Sequence, residues 1–123
     1  QMQESGAVYP LGGLLRIKVV QGNILDNERL QPVLNTFVGF DHDNMKFKTH
    51  VAKDGGRTPQ FGEEFVIGVQ DLNQEIKFLL LDEKPIRTIA IGFVYAKLGK
   101  LVQNYNLIEW VEIRHDDKPV GHI

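Results

Sequence analysis

"MKFKTHVAKDGGRTPQFGEEFVIGV", residues 45–69, holds two extended segments and the turn that separates them. In the first, Phe47 and Val51 alternate with Lys46, Lys48 and His50, the period of two that a half-buried strand requires. "DGGRTP" (54–59) breaks that pattern with glycines that accept positive φ and a proline that ends the turn. "FGEEFVIGV" (61–69) then resumes as a second strand.

The same period extends outward in both directions. In "LLRIKVV" (14–20), Leu15, Ile17 and Val19 share one face and Arg16 and Lys18 the other. "TFVGF" (36–40) joins the Lys46 strand through "DHDN" (41–44), a hairpin with a short acidic turn. "EIKFLLLD", "TIAIGFVYAKL" and "LIEWVEI" read as later strands. "GKLVQNYN" has room for one helical turn, "RHDDKP" reads as a turn, and "VGHI" starts a further element. Residues 1–11, polar and Gly/Pro-bearing, form a flexible lead-in to a domain covering 12–123. No stretch keeps a helical period over 11 or more residues. Short strands at about 8–12-residue spacing, with turns between them, predict an all-β, antiparallel, eight-stranded sandwich.

Composition narrows the function classes. The 123 residues are 42% hydrophobic and 24% charged, enough apolar surface for one folded core. A formal net charge of −2 excludes a domain-wide basic field, so no nucleic-acid partner is expected and an anionic partner must meet a local patch. The absence of cysteine removes disulfides, thiolate metal sites and cysteine nucleophiles, and is compatible with an intracellular, cytoplasmic protein. No apolar run approaches the roughly 20 residues of a membrane span, and no signal peptide is visible. A first residue of Gln1 is read as a sign that the chain is part of something longer. There is no Gly-x-Ser-x-Gly, phosphate loop or paired His at metal spacing, so no enzymatic chemistry has a carrier.

"GGLLRIKVVQGNIL", "NTFVGF", "KFKTHVAKDGGRTPQFGEEFVIGV", "EIKFLLLDE" and "IAIGF" follow one another in the order of a C2 domain, and the likeness runs from Gly12 to Ile123. Its most specific piece is Lys48-Thr49 followed by Pro59-Gln60-Phe61-Gly62-Glu63-Glu64-Phe65, which resembles the family's Lys-Thr and Pro-x-aromatic-x-Glu-x-Phe signature. The resemblance implies a Greek-key sandwich. A first strand that leads straight into the first loop is similar to the phospholipase-type arrangement. That arrangement ends on a strand introduced by Gly-x-Ile, matched by Gly121-His122-Ile123, so a short or truncated last strand is expected.

In calcium-binding members, Asp carboxylates from two loops hold the ions, because Ca²⁺ takes about 6–8 oxygens and several must be anionic. Asp26 matches the first-loop Asp, and Asn35 stands where a second one is usual. In "FLLLDEKPIRTIAIGF" (78–93), Asp82 matches the first third-loop Asp, but Lys84 holds the next position and "RTIA" the rest. Strand parity turns Glu83 away from Asp82. A lysine there can pair with Asp82 and fill the site internally, so these are vestigial calcium positions, no cofactor is expected, and the loops should act without calcium.

The resemblance also implies a basic cluster on the concave face for lipid head groups. Lys46 and Lys48 match its two strand lysines and Phe37 its tyrosine, whereas Gly39 and Leu81 replace a lysine and a tryptophan. The alternative is two solvated lysines beside His50. Ile86 and Leu30, at loop tips, either enter a bilayer interface or pack back, and Pro32-Val33-Leu34 offers a protein-docking element. His42 between two aspartates and His115 beside Asp116-Asp117 read as turn residues rather than metal ligands, and Trp110 as core. The expected function is a non-catalytic module that docks a larger protein, without calcium, to anionic membrane lipid or to a protein partner. The alternatives are a purely protein-binding scaffold and a calcium-dependent lipid-binding domain.

Overall fold

Leu15, Ile17 and Val19 are buried while Leu14, Arg16 and Lys18 face solvent, so the alternation in the sequence is the alternation in space. The computed structural model describes residues 13–25, 33–103, 111–115 and 118–123. Among the described residues, nine strands and one short helix follow in order: β1 (Gly13–Gln21), β2 (Asn23–Ile24), β3 (Thr36–His42), β4 (Met45–Lys48), β5 (Gln60–Val69), β6 (Glu75–Glu83), β7 (Thr88–Lys97), α1 (Leu98–Gln103), β8 (Glu112–His115) and β9 (Lys118–His122). All pairings are antiparallel. β1 and β5 form one sheet, and the order β2-β9-β8-β7-β6-β3-β4 forms the other.

The sandwich is therefore as expected, with local differences. The ninth strand is the two-residue β2, which pairs Asn23 and Ile24 with His122 and Gly121 of β9. The last strand begins at Lys118 rather than Val120, and Arg114 and His115 belong to β8, so four residues of the expected "RHDDKP" turn lie in strands and the other two, 116–117, lie outside the described ones. The lead-in, Asp26, Leu30, Pro32 and Trp110 also lie outside them. Gly121 explains how β9 reaches β2. Its φ of 156° suits a residue without a side chain, and an added Cβ would collide with the Asn23 carbonyl.

Core packing explains the signature residues. Phe40 stacks on Phe47 at 4.9 Å between ring centroids and meets the edge of Phe65 at 5.3 Å, with Phe78 completing the cluster. The β3–β4 hairpin turns on Asp43 and Asn44, whose φ values of 50° and 64° define the two-residue turn that matches strand twist. Thr49 is buried just past β4. Its Oγ1 accepts from Val38 N at 3.0 Å and donates to His50 O at 2.9 Å, so one hydroxyl satisfies backbone groups where the ladder ends. Glu63 Oε1 accepts from His50 N at 2.9 Å and lies 3.0 Å from His50 Nδ1. The spacing of Lys-Thr and Glu-x-Phe is thus a set of cross-loop ties.

Candidate functional site

β6 carries Ile76, Phe78 and Leu80 into the core, and the same parity carries Asp82 inward at the strand's end, where it is 1% exposed. A carboxylate so buried must find partners for both oxygens. Oδ1 accepts from Asn35 N at 2.9 Å, and Oδ2 lies 3.0 Å from Lys84 Nζ. Lys84 reaches back because the chain reverses at Pro85-Ile86, where Lys84 N donates to Arg87 O at 3.0 Å. Its ammonium also donates to Val33 O at 2.6 Å, and the side chain is 13% exposed.

Asn35 ties the same corner together. Its carbonyl accepts from Glu83 N at 2.8 Å, and its side-chain Oδ1 accepts from Asp54 N at 2.7 Å. Of the calcium positions matched in the sequence, Asn35, Asp82 and Lys84 are therefore tied together, and Asp26 lies outside the described residues. Asp82 is held by Lys84 and Asn35, and no group of three or more His, Cys, Asp or Glu among the described residues is arranged to hold a metal. Among the described residues, the Asp82 carboxylate that would supply anionic oxygens to calcium is already engaged by Asn35 and Lys84. Thr36, opposite Asp82 in the β3–β6 register, is fully buried and its Oγ1 has no hydrogen-bond partner among the described residues.

At the rim of this corner Ile86 is 96% exposed. Beside it lies an open cleft of about 510 Å³ whose wall includes Asn35, Lys53, Glu83, Lys84, Ile86 and Arg87. Sequence reading singled out Lys84 and Ile86 but passed over Lys53. Nothing near Lys53 except the turn glycines at 55 and 56 marks it as a residue brought against the 83–88 loop.

The strand lysines occupy a second place, the outer face of the seven-stranded sheet. Lys46 lies opposite Asp41 and Lys48 opposite Gly39 in the β3–β4 register, so both project from the same face. Lys46 Nζ is 3.5 Å from Asp41 Oδ2, an exposed pair of small energetic consequence. Lys48 Nζ stands 5.9 Å from the centroid of Phe37. Gly39 lies opposite Leu79, and Leu79 opposite Phe93, so the row from Lys48 continues as an apolar strip. Lys77 Nζ sits 4.4 Å from the Phe93 ring centroid, and Phe93 meets Tyr95 edge-on at 5.7 Å, both rings exposed. Lys46, Lys48 and Phe37 therefore share one surface, and Ile86 with Lys84 and Asn35 shares another. His42, read as a turn residue, is instead buried at the end of β3, with Nε2 2.6 Å from Gly68 O.

Comparison with known proteins gives one consistent answer. The family model described as the C2 domain matches residues 13–113. Phospholipase D alpha 1 of Carica papaya is 30% identical over 71 residues, 58% of this chain and 9% of the enzyme. Phospholipase D alpha 1 of Brassica oleracea var. capitata is 30% identical over 75 residues, 61% of this chain and again 9% of the enzyme. Among solved structures, a C2 domain-containing protein superposes with a TM-score of 0.76 at 20% identity, covering 98% of this chain and 90% of its own. Extended synaptotagmin 2, in a calcium-bound structure of its paired C2 domains, gives 0.75 at 22% identity over 94% of this chain and 45% of its own. A C2 domain of plant extended synaptotagmin 1 gives 0.70 at 22% identity over 94% of this chain and 91% of its own.

Proposed function

This chain belongs to the C2 domain family, and we propose that it is a module that docks a larger protein onto anionic phospholipid without using calcium. Family membership makes it a non-catalytic binding module for membranes or proteins, and no described helix is long and apolar enough to cross a bilayer. The observation that carries the finer reading is the pairing of a fully exposed Ile86 with a loop base where Lys84 already neutralises Asp82. An isoleucine standing clear of the surface at a loop tip has an apolar interface as its favourable environment. The fixed ammonium supplies the positive charge that a metal would otherwise bring. Lys46 and Lys48, at the side of the domain, add attraction to anionic head groups, each worth about 1 kcal/mol near such a surface. On this reading the protein works inside the cell, peripheral to a membrane.

The test is co-sedimentation with phosphatidylcholine vesicles with and without anionic lipid, in calcium and in chelator. Binding to anionic vesicles should be equal in both conditions, and should weaken on Ile86→Ser and on Lys46→Glu with Lys48→Glu. Binding that appears only with calcium would replace this reading with the calcium-dependent one.

A second reading has its own observation. The exposed Phe93–Tyr95 pair and its strip toward Lys48 form an apolar surface on the sheet face, away from the loop that carries Ile86. Such aromatic surfaces suit a protein partner. Absence of binding to every vesicle would favour it.

A further inference from the structure

We propose that the domain pairs with a second copy of itself through the flank formed by β4 and β5, each β4 joining the β5 of its partner. Both strands are sheet edges. β5 pairs with β1 alone and β4 with β3 alone, so each leaves one side of its backbone without a ladder among the described residues. The two edges lie on the same flank, because the sheets are pinned together there from end to end. His42, opposite Met45 in the hairpin, reaches Gly68 O at 2.6 Å. The Phe47 and Phe65 ring centroids stand 5.9 Å apart, and Glu63 Oε1 accepts from His50 N at 2.9 Å.

Charge selects the occupant and its orientation. Lys46 and Lys48 project outward from β4, and Glu64 and Val66 outward from β5, all four exposed. Neither Glu64 nor Lys48 forms an ion pair among the described residues, although Lys18 stands opposite Glu64 on β1. A two-fold axis perpendicular to the sheets sets β4 against β4, lysine row against lysine row, the repulsion by which edge lysines block pairing. A two-fold axis along the strands sets β5 against the partner's β4 instead, acid against base, and does so twice.

This second axis also leaves every residue at its own height, so the seam inside one copy fixes the register between two. Phe65 faces the partner's Phe47, as the two already face each other across the sandwich. Strand alternation then places Glu64 against the partner's Lys48 and Val66 against the alkyl stem of the partner's Lys46, each pair on one outer face. On the inner face the partner's Met45 falls beside Ile67. Val66 and Met45, 50% and 60% exposed in the single copy, are the apolar side chains that this ladder covers. Two ladders, each limited by the four residues of β4, belong to the small class of interface below roughly 1,200 Å², so the dimer is weak and concentration-dependent. Both copies carry their 83–88 loops at the same end, which gives the membrane-docking reading two contacts on one surface. The dimer itself does not rest on that reading.

Sedimentation equilibrium without lipid, from roughly 10 µM to 1 mM protein, measures it. The mass is expected to rise from monomer to dimer. Glu64→Lys and Lys48→Glu each place like charges in both ladders and should weaken the dimer by about tenfold or more. The two together should restore it to within about threefold of wild type. Lys77→Glu, on the sheet of Lys48 but away from its edge, should leave it unchanged. All these side chains are exposed, and thermal unfolding checks each variant. The chain has no cysteine, so an equimolar mixture of Lys46→Cys and Val66→Cys chains gives a second readout under mild oxidation. The mixed disulfide should form in large excess over both like-with-like products. A wild type that stays monomeric across the range overturns the proposal. A dimer that ignores both single reversals, or that the double reversal fails to restore, overturns it as well. So does a preference for either like-with-like disulfide.

Discussion

The ammonium of Lys84 lies 3.0 Å from Oδ2 of Asp82, and the two side chains are 13% and 2% exposed. They are two residues apart in sequence, on a strand end where that spacing would normally place both on one face. Here only Asp82 belongs to the strand, and Lys84 comes back to it from the turn. An ion pair buried this far gains little over an apolar packing, but losing one partner strands the other charge.

Lys84→Met should therefore destabilise the domain by about 3 kcal/mol, because Asp82 keeps only the Asn35 amide. Adding Asp82→Asn in that background should restore most of the loss, with a coupling of roughly 2 kcal/mol in a double-mutant cycle. Urea unfolding measures it. Additive losses would mean that the pair is not a unit.

Calcium at 1 mM should leave thermal unfolding where chelator leaves it. A site of roughly 10 µM affinity would add about 2.7 kcal/mol at that concentration and raise the midpoint by several degrees. A rise of that size, abolished by Asp82→Asn, would show a working calcium site. Lys84→Asp should begin to create calcium sensitivity by exchanging the tethered cation for a ligand.

Thr36→Val should stabilise the fold by about 1 kcal/mol. The hydroxyl is buried without a partner among the described residues, so removing it relieves a desolvation cost while the shape is kept. A loss of stability, read by calorimetry, would reveal a partner for that oxygen.

Glu63 should make stability fall with acid. The His50 backbone N–H bonded to its carboxylate, followed by the imidazole hydrogen bond, holds its pKa below the ordinary 4.5. A depressed folded pKa means that the contribution is present above the unfolded value and is lost as pH falls through the folded one. Glu63→Gln should thus lower the urea midpoint at pH 7 and pH 5, and the gap from wild type should close as pH falls below 4.5. A gap that stays constant down to pH 3 would assign the loss to shape rather than charge.

What the residues fixed locally was legible from them. Period-two alternation placed Leu15, Ile17 and Val19 inside, put Lys46 and Lys48 on one face, and turned Glu83 away from Asp82, because a pleated strand sends successive side chains to opposite faces whatever its neighbours are. The turn at Asp43-Asn44 and the helical turn after Lys97 were equally local, set by backbone preferences of a few residues. The start of β9 at Lys118 was not, since pairing with β8 and β2 extends that strand beyond what its own residues prefer. His42 looked like a turn residue between two aspartates, yet it is the last inward position of β3 and meets Gly68 from the other sheet.

Beyond the Asp82–Lys84 pair, the loop corner belongs to tertiary structure. Val33 O reaches Lys84 across 51 residues and Asn35 N reaches Asp82 across 47, distances over which no sequence period carries information. Lys53 joins Arg87 at one cleft only because the 53–54 turn is tied to Asn35 and Asn35 is tied to β6. The sequence could name a lysine where an aspartate was expected. It could also name Asp82 as that lysine's partner, but which backbone carbonyl would share the ammonium, and which other cations would gather beside it, depended on the chain closing loops of about fifty residues, and that closure is driven by the common core beneath them.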